Sequence, residues 1–255
     1  MIMLLKIYYL FSIVPLVYHI RRVLNSNISN ISNTSFLKYL DNEYTLLLVS
    51  VFAILSWAVV SLYPKKLLSR LFFCFGFYFI CFTEYSFGKI DHYTHVWLYL
   101  NFLFLFIDKK FKNIEKIFEA SRYLILSVYA IAGTWKLISL VNVLRVKSLT
   151  EACLDILGSS IAAGIMPISG IGKILIQYDF LLVIGFLLIL VFQLANYSIL
   201  FTKKHIDYLG FGAIIFHLLT GITLGIYYLP VIVCILIIFP FQSLIRDFHE
   251  NNLSS

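Results

Sequence analysis

Charged side chains make up only 13% of the 255 residues, roughly half the share found in soluble domains. Hydrophobic residues reach 61%, and a soluble enzyme of this length has no interior large enough to hide them. A soluble globular protein is therefore excluded. Cysteine is also sparse: Cys74, Cys81, Cys153 and Cys234 lie in or beside apolar stretches and form no CxxC pair. Metal and redox spacing is absent, and the four read as small core residues. No Walker loop, GxSxG elbow, HExxH or GxGxxG occurs, and Gly164, Gly170 and Gly172 make no phosphate cradle. Neither an internal repeat nor a heptad pattern is present.

What the chain does have is apolar length. Mean hydropathy is +0.91, and 24 Phe with 17 Tyr suit a protein with lipid-facing surface and interfacial anchors. A spanning helix needs about 20 mainly apolar residues. Eight candidate stretches follow: Met3 to Ile20, Thr45 to Tyr63, Leu68 to Phe87, His95 to Ile107, Tyr123 to Leu144, Phe180 to Phe201, Leu209 to Tyr228 and Val231 to Phe241. The first, stopped by Arg21 and Arg22, reads as an anchor rather than a signal peptide, because no small-residue cleavage site follows it. Between the fifth and sixth, residues 145–178 mix Glu151 and Asp155 with several glycines and read as an interfacial or re-entrant segment. The expected architecture is all-α: one polytopic transmembrane bundle over residues 1–255, with about eight spans and no separate soluble domain.

The net charge of +7 sits in short basic clusters between apolar runs, which is a topology signal and not a nucleic-acid footprint. With a cytoplasmic N-terminus, twelve Lys and Arg fall on the inner side and seven on the outer, with Lys136 left inside a helix. Both termini are therefore expected in the cytoplasm. The Asn/Ser-rich loop 25–43 then lies outside and carries sequons at Asn27, Asn30 and Asn33, which such a composition generates readily by chance.

Polar residues within the apolar runs are the candidate functional groups, since an ionisable side chain in hydrocarbon is costly. Lys136 lies in Tyr129-Ala130-Ile131-Ala132-Gly133-Thr134-Trp135-Lys136-Leu137. On a helix, Tyr129, Ala132, Gly133 and Lys136 share one face, and the small residues admit a neighbouring helix or a flat ligand. Apolar surroundings there penalise the ammonium and leave a neutral, basic amine. The bland alternative is a lysine that snorkels outward or pairs with a buried acid such as Glu84. His92 and His95, at i and i+3 beside Trp97, either reach a site together or sit at the interface. That spacing alone does not make a metal centre, and no metal is expected. Gln193 and Asn196 in the sixth span, and His217 in the seventh, either hold the bundle together or line a polar cavity opposite Lys136.

The order of these motifs resembles the membrane part of vitamin K-dependent gamma-carboxylases and their bacterial relatives, the horizontally transferred transmembrane (HTTM) domain proteins. The resemblance covers residues 87–241. Ala132-Gly133-Thr134-Trp135-Lys136-Leu137 looks like the stretch whose lysine deprotonates the vitamin K hydroquinone. His95-Val96-Trp97-Leu98-Tyr99 looks like the stretch with an assisting histidine, and Phe216-His217 with Gly221 and Gly225 looks like the late histidine helix. Ile138-Ser139-Leu140-Val141-Asn142 replaces the acidic residues and Trp that often follow the family's lysine. There is also no room for the lumenal domain that binds a protein substrate, so glutamate carboxylation is not expected.

The resemblance implies a bacterial inner-membrane enzyme acting with oxygen on a quinol or similar lipid-soluble molecule, its cofactor being a vitamin K hydroquinone-like quinol. Lys136, His95, His217 and His92 would be catalytic. Tyr129, Gly133, Trp97, Gln193, Asn196 and Glu84 would hold the substrate. The implied partners are the bilayer, the small molecule and a separate soluble protein, with no nucleic acid. The competing expectation is a non-catalytic partner subunit, assembly factor or small transporter.

Overall fold

The computed structural model describes residues 1–24, 43–86, 92–162, 174, 177–224 and 229–241. Most of the Asn/Ser-rich loop with its three sequons, Lys89, Gly164, Gly170, Gly172 and Gly225 lie outside them, as do the side chains of Glu84 and His92. Among the described residues the secondary structure is helical throughout, without strands. The chain forms two compact units, Met1–Ser121 and Arg122–Ser255.

The first unit contains α1 (Ile2–Phe11), α2 (Ile13–Leu24), α3 (Glu43–Leu62), α4 (Leu67–Ser86), α5 (His92–Phe104) and the start of α6 (Ile114–Val143). The second contains the rest of α6, then α7 (Leu149–Ala162), α8 (Asp179–Ala195), a 3-10 turn (Asn196–Leu200), α9 (Ile206–Leu224) and α10 (Leu229–Ile238). Each of the eight apolar stretches thus contains helix, although those running to Ile107 and Phe241 leave it at Phe104 and Ile238. Among the described residues, four segments are long and apolar enough to cross a membrane: Ile2–Arg21, Glu43–Leu62, Ile114–Val143 and Asp179–Leu200. Apolar segments Leu67–Thr83, His95–Phe104, Ile206–Ile222 and Leu229–Ile238 are shorter. Leu48 and Leu55 on α3, and Leu188 and Val191 on α8, stand exposed. Such an apolar exterior fits hydrocarbon as the surrounding solvent.

The first apolar stretch is broken between α1 and α2 at Ser12. Pro15 has no N–H to give the preceding turn, so the helical ladder is interrupted there. The Tyr9 carbonyl left at the break accepts from Ser12 Oγ at 2.6 Å, Trp57 Nε1 at 2.9 Å and Ser61 Oγ at 3.4 Å. Helix α3 thereby completes the backbone of α1, which hydrocarbon demands. Around this joint Tyr8 stacks on Trp97 at 5.0 Å, meets Phe104 edge-on at 4.6 Å, and donates from its hydroxyl to Asn101 Oδ1 at 3.1 Å.

Arg70, inside the third apolar stretch, is buried in the first turn of α4. Its Nη2 donates to the Ile107 carbonyl at 2.9 Å, while Nε and Nη1 have no partner among the described residues. The carbonyl is free because α5 ends at Phe104, and the tight turn after it leaves the last oxygens outside the helical ladder.

Two helices reach beyond what the apolar pattern marks. Helix α6 has 30 residues and starts at Ile114, well before the Tyr123 at which its apolar run begins. The added turns carry Glu115, Lys116 and Glu119, good helix formers that hydropathy alone does not register. In the segment 145–178, the structure places α7. Ser148 starts it with a capping box: the Ser148 N–H and Oγ donate to Glu151 Oε2 at 2.8 and 2.9 Å, and the Glu151 N–H reaches Ser148 Oγ at 3.4 Å. Ala152 and Cys153 of α7 then pack against Leu182, Phe186 and Leu190 of α8 and Leu140 of α6. All four cysteines are free thiols.

Candidate functional site

The residues picked from sequence in the second unit converge on α6, α8 and α9. Tyr129 is buried on α6, and its hydroxyl meets His217 Nε2 of α9 at 2.5 Å, the donor depending on the imidazole tautomer. The Tyr129 ring lies 6.0 Å from Phe192 and 6.1 Å from Phe216, and those two rings stack on each other at 5.6 Å. His217 therefore has the hydrogen-bonding partner that a mid-span imidazole needs, within an aromatic wall.

One turn further along α6, Gly133 is where the neighbouring helix comes closest. A Cβ at this position would stand 2.9 Å from Gln193 Cβ and 3.1 Å from the backbone of Gln193 and Leu194. The small residue admits a neighbouring helix at close range. Gln193 is buried at this crossing, and its Oε1 has no partner among the described residues.

Asn196 opens the 3-10 turn that ends α8. Its Nδ2 donates back to the Phe192 carbonyl at 2.8 Å, and its buried Oδ1 has no partner among the described residues. Beside it the Tyr197 hydroxyl and Thr134 Oγ1 are 2.7 Å apart, linking the turn to α6. A partly open groove of about 180 Å³ lies here, with Ser127, Ala130 and Ile131 on one wall and Asn196, Ile199 and Leu200 on the other.

Lys136 is half-buried and forms no hydrogen bond or ion pair among the described residues. It follows Tyr129 by seven residues, about two turns, and so shares its face of α6. It follows Ser127 by nine, about two and a half turns, which puts it on the face opposite the groove. Asn196 and Lys136 thus serve different sides of the same helix.

The remaining candidates belong to the first unit. Trp97 is fully buried, stacked on Tyr8, and fills the core there. His95 is half-buried and stacks on Tyr99 at 5.9 Å. His92 starts α5, and Glu84 lies near the end of α4. Sequence reasoning passed over Ser127 and Thr134, because a hydroxyl inside a helix ordinarily bonds back one turn. Both do so, to the Tyr123 and Ala130 carbonyls, yet each also faces the α8 turn or its groove. Among the described residues, no group of three His, Cys, Asp or Glu is placed to hold a metal ion. No family model, no curated protein and no solved structure matches the chain.

Proposed function

We propose that the chain is an integral membrane protein of eight spans, of the HTTM and gamma-carboxylase-like type, which acts on a quinol or similar lipid-soluble molecule. Lys136 is the base. The observation that carries this reading is a half-buried lysine without an ion pair among the described residues, on the same helix face as the buried Tyr129–His217 pair. Lys136 lies about two turns beyond Tyr129 on that face. An uncharged quinol enters sideways from the lipid. Its hydroxyl gives a proton to the neutral amine, leaving a quinolate. The quinolate passes two electrons to dioxygen, so that quinol and oxygen become quinone and hydrogen peroxide. His217, held by Tyr129, takes up or returns the proton nearby. His95 and His92 enter no step of this scheme.

The test is quinol-dependent oxygen uptake by the purified protein in nanodiscs. Lys136→Ala should lower it by about a hundredfold or more, the usual worth of a positioned base. Unchanged uptake in a folded Lys136→Ala protein would remove the lysine from the mechanism. The second reading, a non-catalytic membrane partner, is favoured by the Gly133–Gln193 contact, which uses two of the candidate residues for helix packing. Absence of uptake by folded wild-type protein across several quinols would select it.

A further inference from the structure

We infer that the lysine-rich end of the first unit, built from the α3–α4 and α5–α6 connections, binds the headgroup of an anionic phospholipid. The two connections lie far apart in sequence and are tied together by Arg70, whose Nη2 donates to the Ile107 carbonyl at 2.9 Å. Arg70 stands one turn after Lys66, its N–H reaching the Lys66 carbonyl at 3.3 Å, and Ile107 immediately precedes the turn 108–113. Lys65 and Lys66 therefore share one end of the unit with Lys109, Lys110 and Lys112, and all five are exposed. Arg70 itself is buried and serves as the tie, not as a contact for the lipid.

Charge is the first argument. Against the five lysines stands Asp108, while Glu115 and Lys116 of the following turn offset each other. Asp108 is committed to its own loop. Its Oδ1 accepts from the Lys112 N–H at 2.9 Å, and its N–H donates to Asn113 Oδ1 at 2.9 Å. Asn113 Nδ2 in turn donates to the Phe106 carbonyl at 2.8 Å, which fixes the backbone that carries the lysines. None of the five ammonium groups is ion-paired among the described residues. Like charges held together this way attract an anion. The apolar surroundings are the second argument. Leu62 and Tyr63 at the end of α3, Leu67 and Leu68 at the start of α4, and Phe102 and Phe106 near the end of α5 are exposed beside the lysines. Lys66 Nζ stands 4.8 Å from the centre of the Tyr63 ring, a cation held level with an aromatic anchor. A soluble phosphate has no use for such an apolar collar, whereas a phospholipid covers it with acyl chains and brings its phosphate to the lysines. A zwitterionic lipid would cover the collar equally well, so net negative charge is what the lysines select. The inference needs the helices to lie in a bilayer and is independent of the quinol chemistry.

For the experiment, the full chain is released from nanodiscs holding equal amounts of phosphatidylglycerol and phosphatidylcholine, and retained lipids are counted by native mass spectrometry. Phosphatidylglycerol should be favoured about fivefold or more, the factor that one lysine supplies at an anionic headgroup. Lys65→Gln with Lys66→Gln, and separately Lys109→Gln with Lys110→Gln and Lys112→Gln, should each bring the preference close to parity. Lys203→Gln with Lys204→Gln removes two charges from the second unit and should leave the preference intact. Excess glycerol phosphate should not displace the lipid. If a glutamine variant does not fold, amine acetylation of the wild type in nanodiscs of each lipid decides. Phosphatidylglycerol should slow it at the five lysines relative to Lys203 and Lys204, and equal slowing would overturn the inference. Equal retention of the two lipids by wild type would also overturn it and leave the lysines as a topology signal alone. So would a preference that survives both sets of glutamines, or one that falls as far in the Lys203 and Lys204 control. Displacement by glycerol phosphate would assign the lysines to a soluble phosphate and overturn the lipid as occupant.

Discussion

Replacing Gly133 by alanine tests the close approach of α6 and α8. The new methyl would lie 2.9 Å from Gln193 Cβ and 3.1 Å from backbone atoms of Gln193 and Leu194. Carbon contacts are comfortable at about 3.5–4.0 Å, and backbone atoms cannot rotate aside as a side-chain tip would. The helices must part locally by about 0.5–1 Å, and overpacking of this kind costs about 1–3 kcal/mol. Alanine returns about 1 kcal/mol through its better helix propensity, for a net loss of up to about 2 kcal/mol. Gly185 on α8 is the internal control, because a Cβ there meets nothing within 4 Å. Gly185→Ala keeps only the propensity term and should stabilise by about 0.5–1 kcal/mol. At about 2–4 °C per kcal/mol, Gly133→Ala should melt some 2–12 °C below Gly185→Ala in nanodiscs. If the two variants melt together, or Gly133→Ala melts higher, the close approach is not a feature of the folded protein.

Other expectations are shorter to state. Tyr129→Phe strips His217 of its hydroxyl partner and should cost about 1–3 kcal/mol in thermal unfolding, a loss that disappears when His217 is first replaced by leucine. Arg70→Met should hold or raise the melting temperature, since an apolar chain of similar length replaces a buried cation lacking a carboxylate among the described residues; a collapse of stability would show that its unpartnered nitrogens have a partner after all. On α7, the Ser148 N–H and hydroxyl hold the Glu151 carboxyl below the usual carboxylate range, so the capping box contributes above that range and is lost as pH falls through the depressed value. The protection factor of the Ala152 amide should therefore fall in acid, and in Ser148→Ala it should be low already at neutral pH. Lys147, hydrogen-bonded to Asp155 at 2.5 Å, is held above the ordinary lysine range; that contribution is present at neutral pH and fades only as pH rises through the raised value. Both partners are exposed, so Lys147→Ala should leave the melting temperature unchanged.

The helices were legible because hydrocarbon imposes a length, and long apolar runs such as Thr45 to Tyr63 have few other ways to fold. Polar helix extensions escape that signal, which is why the first turns of α6 went unseen. Helix α7 has a local signature in Ser148-Leu149-Thr150-Glu151, which hydropathy does not register. The site was legible one residue at a time. That His217 required a partner followed from its depth, and that small residues near Lys136 would admit a neighbour followed from their size. Which neighbour came depends on helix crossings, and nothing local in sequence encodes the match of Tyr129 to His217, 88 residues away. The burial of Arg70 is equally non-local, since it depends on the Ile107 carbonyl beyond the end of another helix.

The break at Ser12 also has a consequence during synthesis. The Tyr9 carbonyl is completed in part by Trp57, 48 residues later in the chain. At about 5–20 residues per second, the first hydrophobic segment waits roughly 2–10 s before that indole leaves the ribosome. Until then Ser12 Oγ is the local donor, and water, lipid headgroups or the insertion machinery must serve the oxygen's other lone pair, so α1 and α2 have reason to linger near the interface. Their final depth would be settled only when α3 arrives, which makes the N-terminal segment a late-seating passenger of the helix that follows it.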